Sequence, residues 1–234
     1  MSTKRIAVIT GVGPGTGAAT ARRLAQGSFE VAMLARNAER LERLAQEIPG
    51  CHAYPVDVTD SAALATVLDR IETELGAPEV VIHNAVGGAR GTFLDIDPAV
   101  LEHNFQTNVM AFLHLARRFA PSMVAKAKGT ILATGNTSAH RGKATFAGFA
   151  PTKAAQRILA ESMARELGHK GIHVGYVVID AVIDVEWARK MFADAPDDFF
   201  IKPEDIADEI WHFLNQPRGA WSFNVEIRPY RETW

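Results

Sequence analysis

The stretch IAVITGVGPGTGAATARRLA, residues 6–25, decides the fold. An apolar run ends at Thr10, glycines follow at 11, 13, 15 and 17, and an alanine-rich segment of helical period starts at Thr16. Glycines let the backbone turn tightly and approach a diphosphate, while the N-terminus of the next helix offers unpaired N–H groups and the positive end of its dipole. Strand, glycine turn and helix in this order predict an anion-binding junction, with Gly11, Gly15, Thr16 and Gly17 as its cofactor contacts.

Outward from that junction the same alternation continues. Short apolar runs predict strands at 6–10, 30–34, 53–56, 80–83, 130–134, 173–179 and 223–227. Segments of helical period lie between them at 16–26, 38–48, 61–75, 98–126 with a break, 152–167, 184–192 and 203–215. Continuously apolar strands are those of a parallel sheet buried on both faces, and helices with one apolar stripe cover it. The expected architecture is α/β, a doubly wound Rossmann-type fold with a seven-stranded parallel sheet and helices on both faces, spanning 1–234 as a single domain. Residues 184–201 are the least regular stretch and read as a lid over a substrate.

The bulk composition narrows the function classes. With 47% hydrophobic and 22% charged residues the chain is an ordinary globular one, and its net charge of −2 with no run of like charges gives no footprint for nucleic acid or an anionic membrane. A small-molecule partner is the better reading. Cys51 is the single cysteine, which excludes an internal disulfide and a cysteine-based zinc site, and the scattered histidines lack metal-site spacing. No segment approaches ~20 consecutive apolar residues, and the first residues do not read as a signal peptide, so a cytoplasmic setting is expected.

The second predicted strand ends on Leu34, Ala35, Arg36 and Asn37, where a carboxylate would pair with the ribose 2′-hydroxyl of NAD. None is present, and a guanidinium binds a 2′-phosphate in bidentate fashion, so Arg36 points to NADP(H).

TGVGPGTG at 10–17, DVTD at 57–60 and Asn84-Ala85 after the fourth strand together resemble the short-chain dehydrogenase/reductase family over nearly the whole chain. The resemblance implies that Asp57 bonds the adenine amino group, that Asn84 lies against the cofactor ribose, and that Val58, Lys153 and Val182 complete the cofactor contacts. NFQTNVMAFLHLA at 104–116 resembles the family's long-helix segment, whose asparagine, here Asn108, holds a water and the catalytic lysine. Family members also associate as dimers or tetramers through two long helices, which implies a homodimer or homotetramer here.

The chain departs from the family at its acid. A tyrosine is expected four residues before Lys153 and a serine thirteen before that, and Phe149 and Asn136 stand at those positions. Tyr54, Tyr176 and Tyr230 are all distant in sequence. Ser138 or Thr137 would substitute if the segment runs extended, since Asn136 and Ser138 would then point the same way. The Pro-Gly after the sixth strand is replaced by Ile179-Asp180.

The residues left for catalysis are Asn108, Asn136 and Lys153. Lys153 would bond the nicotinamide ribose and lend its charge, and Asn136 would donate through its amide. The reading is an NADPH-dependent oxidoreductase acting on a small carbonyl, enone or imine, with its proton taken from water, Lys153 or the substrate. The alternative is a catalytically silent NADP(H)-binding sensor or partner subunit. His140 follows the Asn136 loop and is a secondary candidate proton donor, and Trp211, Phe213, Trp221 and Trp234 read as core or interface fillers.

Overall fold

Parallel strands buried on both faces form the centre of the computed structural model, which describes residues 4–232; Trp234 lies outside the described residues. The strands are β1 (Arg5–Thr10), β2 (Phe29–Ala35), β3 (Cys51–Pro55), β4 (Val80–His83), β5 (Gly129–Gly135), β6 (Ile172–Ile179), the short β7 (Val182–Ile183) and β8 (Phe200–Ile201), and β9 (Asn224–Ile227). The main sheet has seven strands in the order β3-β2-β1-β4-β5-β6-β9, paired in parallel throughout. β7 and β8 make a separate two-stranded ribbon.

Alternation along β1 shows how both faces are filled. Val8 belongs to one apolar cluster and its neighbours Ala7 and Ile9 to the other. The Val8 side is covered by α3 (Ser61–Glu74), α5 (Ala111–Ala125) and α6 (Ala150–Leu167), through Leu64, Phe112, Phe119 and Ala160. The Ala7 side is covered by α1 (Thr16–Gln26), α2 (Ala38–Glu47) and α8 (Pro203–Leu214), through Leu24, Leu41, Ile206 and Phe213. This is the expected doubly wound arrangement, and no helix is long and apolar enough to cross a membrane among the described residues.

The long segment 98–126 resolves into three pieces. Asp97 caps α4 (Pro98–Phe105) by accepting from Ala99 N, a π-helical turn occupies Gln106–Met110, and α5 follows. The expected break is therefore a π turn, and it carries Asn108. The sixth long helix starts at Ala150, two residues earlier than the sequence suggested, and Pro151 occupies its first turn without loss because an N–H there has no partner in any case. Within 184–201 the expected helix is only the six-residue α7 (Glu186–Met191), and the β7–β8 pairing at either end was not legible as strand because each piece is two residues long.

Reversal of winding between β1 and β4 opens a crevice at the C-terminal ends of those strands. On the far side, His173 is stacked between Phe213, with centroids 4.0 Å apart, and Trp221, 4.8 Å away. Gly175 lies beneath Phe213, where an added Cβ would sit 2.1 Å from the ring, whereas Gly142 has open space around it. Gly175→Ala should therefore lose about 1–3 kcal/mol in urea unfolding, and Gly142→Ala should stay within about 0.5 kcal/mol of the parent.

Candidate active site

The crevice is a cavity of about 620 Å³ whose floor is the turn from Gly11 to Gly17. Gly11 has φ +71°, and a Cβ there would lie 2.4 Å from the backbone of Ala85. A Cβ on Gly17 would lie 2.6 Å from Gly11 O, so α1 can pack this close to the turn only with glycine. No side chain caps α1, its first turn holds no acid, and only Ala18 N of its first three residues is spent on the turn, at Gly13 O, so the N–H groups of Thr16 and Gly17 are available to an anion. Thr16 lines the cavity and its buried Oγ1 has no hydrogen-bond partner. These features fit a dinucleotide diphosphate.

At one end of the cavity stands the exposed Arg36, and Arg40 joins it from the first turn of α2, which Asn37 caps by accepting from Arg40 N at 2.8 Å. Asp57 lines the same cavity. Its carboxyl is held below the usual range by bonds from Thr59 N at 3.0 Å and Thr59 Oγ1 at 2.8 Å, with the positive charge of Arg36 adding to them. Val58 and Asn84 line the same space.

Asn84 ties three strand ends together. Its Nδ2 donates to Gly11 O at 2.9 Å and its Oδ1 accepts from Thr134 Oγ1 at 2.9 Å. Beneath it His83 is fully buried, with Nδ1 2.9 Å from Thr10 Oγ1 and Nε2 3.0 Å from Thr107 O. A carbonyl only accepts, so Nε2 carries a hydrogen, and in the neutral ring Nδ1 accepts from Thr10 Oγ1. Burial, reinforced by the charge of Lys153, pushes its pKa down to about 3.

The remaining expected site residues do not line the cavity. Asn108 uses its side chain on Gly87, accepting from its N at 2.9 Å and donating to its O at 2.8 Å, and also donates to Thr152 Oγ1 at 2.8 Å. Lys153 is 2% exposed, and its Nζ donates to Thr134 O at 2.9 Å and to Gln156 Oε1 at 2.5 Å. Burial alone lowers its pKa to about 7. Val182 sits in the β7–β8 ribbon, and its neighbours Ile183 and Val185 line the cavity instead.

Asn136 is extended, but 137–139 is a 3₁₀ turn that it caps, its Oδ1 accepting from Ser138 N at 3.1 Å. This corrects the extended run that would have turned Ser138 the same way as Asn136. A polar side chain before a short turn satisfies the free N–H locally, which favours the turn over a strand. Thr137 Oγ1 is committed to Asp180, donating to its Oδ1 at 3.0 Å. Phe149 is buried at the start of α6, its ring 3.5 Å from where a Cβ on Gly88 would stand. His140 is exposed and does not line this cavity; with Ser138 and Phe146 it lines a second pocket.

Segment 184–201 closes one side. Val185 touches the turn, its Cγ1 2.9 Å from a Cβ built on Gly15, and the exposed Trp187 lines the cavity. Arg189 anchors the segment with a fork to Asp184, at 2.6 and 2.7 Å, a bond to Asp197 at 2.6 Å, and its guanidinium 4.1 Å from the Phe200 ring centre. Sequence reasoning missed Arg40, Trp187 and Gln156. Arg40 was findable, since it lies one helical turn beyond Arg36; Trp187 and Gln156 sit in no motif.

A family model described as short chain dehydrogenase matches residues 5–195. The chain is 31% identical over 229 residues to the 7α-hydroxysteroid dehydrogenase of Escherichia coli strain K12, covering 93% of this chain and 89% of that protein. It superposes with TM-score 0.84 on a metagenomic short-chain oxidoreductase in complex with NADP, at 27% identity over 96% of this chain and 97% of the other. An NADPH-bound short-chain oxidoreductase from Pseudomonas aeruginosa PAO1, described as containing an atypical catalytic center, gives TM-score 0.85 at 25% identity, covering 97% and 96%.

The buried neutral His83 makes a pH prediction. Between about pH 6.5 and 3 an unfolded chain binds a proton at this position and the folded one does not, so stability falls as pH falls through that window. Urea unfolding of the parent should lose up to about 1.4 kcal/mol per pH unit there beyond the loss seen for His83→Gln.

Proposed function

The chain belongs to the short-chain dehydrogenase family, and on that premise we propose that it is an NADP(H)-dependent oxidoreductase acting on a small carbonyl, enone or imine. The observation that carries the cofactor choice is Arg36 directly after β2 with Arg40 in the first turn of α2, and no carboxylate at that strand end. Two guanidinium groups fit a 2′-phosphate, and an acid at that point would repel it. The two relatives of known structure that carry NADP or NADPH support the same choice. In this reading Gly11, Gly15, Thr16 and Gly17 hold the diphosphate, Asp57 and Val58 the adenine, and Asn84 and Lys153 the ribose beside the nicotinamide.

A bound NADPH would supply the hydride. As it arrives at an electrophilic carbon, charge develops on the attached oxygen or nitrogen, and a proton must be available there. Phe149 and Asn136 stand where the family's tyrosine and serine are expected, so neither family hydroxyl serves. Lys153 is the titratable group left beside the expected site, and an amine whose pKa lies near 7 is matched to giving up a proton at neutral pH. Asn136 would orient the substrate through its amide. A substrate that is already cationic would need no acid, which keeps imines in the class.

Residues 184–201 would act as the lid over substrate, with Arg189 holding its shape and Trp187 over the cofactor. One observation favours a second reading, a cofactor-binding protein without turnover: neither Lys153 nor Asn136 lines the cavity. The two readings share the cofactor and part at the chemistry.

Titration with NADPH and with NADH, followed by quenching of tryptophan fluorescence, tests the reading. NADPH should bind more tightly, and Arg36→Asp should weaken it roughly 10- to 150-fold, the loss expected for charge-assisted bonds of ~1.5–3 kcal/mol, while sparing NADH. Equal binding of both cofactors, or none of either, would remove the assignment. Lys153→Met should then abolish turnover of a carbonyl or imine found by screening.

A further inference from the structure

We propose that Gln156 is the positioning residue for Lys153, holding one of its N–H bonds while Thr134 O holds a second and leaving the third directed to bound cofactor or substrate; this rests on the oxidoreductase reading above. Gln156 has no exposed surface, and a buried polar side chain needs its bonds met. Its Nε2 donates to Asn108 O at 2.6 Å. Because a backbone carbonyl only accepts, the amide has one possible orientation, and its oxygen must face Lys153. That oxygen also accepts from Tyr176 O–H at 3.2 Å. The π turn that carries Asn108 and the helix that carries Lys153 are thus joined through one amide.

The arrangement suits a group that changes protonation. An ammonium has three N–H bonds and a neutral amine two, and Thr134 O and Gln156 Oε1 are two acceptors. Both states keep the tether, and the proton gained or lost is the third one. The amide itself does not titrate, so it holds the amine without competing for its proton. The groups facing Nζ from other elements are His83 on β4, which is neutral, and the Tyr176 ring on β6, 6.0 Å from Nζ to its centre. Burial is the one cause acting on the amine.

The test titrates Lys153 in protein labelled with ¹³C at lysine Cε, without cofactor, in three forms. The parent should show a midpoint near 7. Gln156→Glu adds a facing carboxylate and should raise it by about 1–3 pH units, while Gln156→Met removes an acceptor from the ammonium and should lower it. A common midpoint in the parent and either folded variant overturns the proposal. Should Gln156→Met fail to fold, by near-ultraviolet circular dichroism, Gln156→Glu decides alone. Adding NADPH to the parent should move the Lys153 signal; if NADPH binds and the signal stays fixed, the third N–H is not directed to it and that part falls. If the parent fails to bind NADPH while the midpoints shift as expected, the functional reading fails and the tether stands.

Discussion

A Cβ on Gly11 would lie 2.4 Å from the backbone of Ala85, and the functional end of the molecule is organised around that contact. It lets the ends of β1 and β4 converge, so that Asn84 reaches across to Gly11 O and back to Thr134. The crevice exists because the winding reverses between these two strands, and it stays open because the turn lining it has glycine wherever a side chain would collide. Any side chain at position 11 would demand both a left-handed backbone and a separation of the two strands, and the phosphate turn would move with them.

Beneath this floor the polar groups are closely matched. His83, Asn108, Lys153 and Gln156 are all within 2% of complete burial, and each has partners for its polar atoms. Such a network holds its shape because leaving any one member unpaired in a dry interior is costly. The buried amine has no acid beside it, only oxygens that accept, which sets it apart from an ion pair. Cys51 is a further buried titratable group, and burial pushes its thiol up to about 12, in keeping with a structural role.

The fold was legible because its signals are local and repeated. β5 is buried at all seven of its residues, which is why its centre, Ile131-Leu132-Ala133, is apolar without alternation, and the glycine turn announces the switch point before any tertiary contact is known. The part of the cavity lined by Arg36 and Asp57 was legible for the same reason: each comes within two residues of a strand's end. The chemical end was not. Gln156 shares the buried face of α6 with Thr152 and Lys153 but belongs to no motif, and its meaning depends on Asn108 O and Tyr176, which lie 48 and 20 residues away. Asn136 misled for a different reason, since a single capping bond to Ser138 decides between strand and turn. Residues 184–201 escaped because pairing between two-residue strands carries no periodicity.

The π turn at Gln106–Met110 has a consequence for how this chain can change in length. Such a turn holds one residue more than an α-helix of the same rise. Deleting a single residue there would relax it to ordinary helix, leaving α5 seated and its Phe112, Leu115 and Phe119 in phase with the core. Asn108 would then lose its carbonyl's approach to Gln156 and its grip on Gly87. The segment can therefore shed a residue and still fold, and what it would shed is the geometry of the site. Packing and site geometry are written here in different residues of one segment.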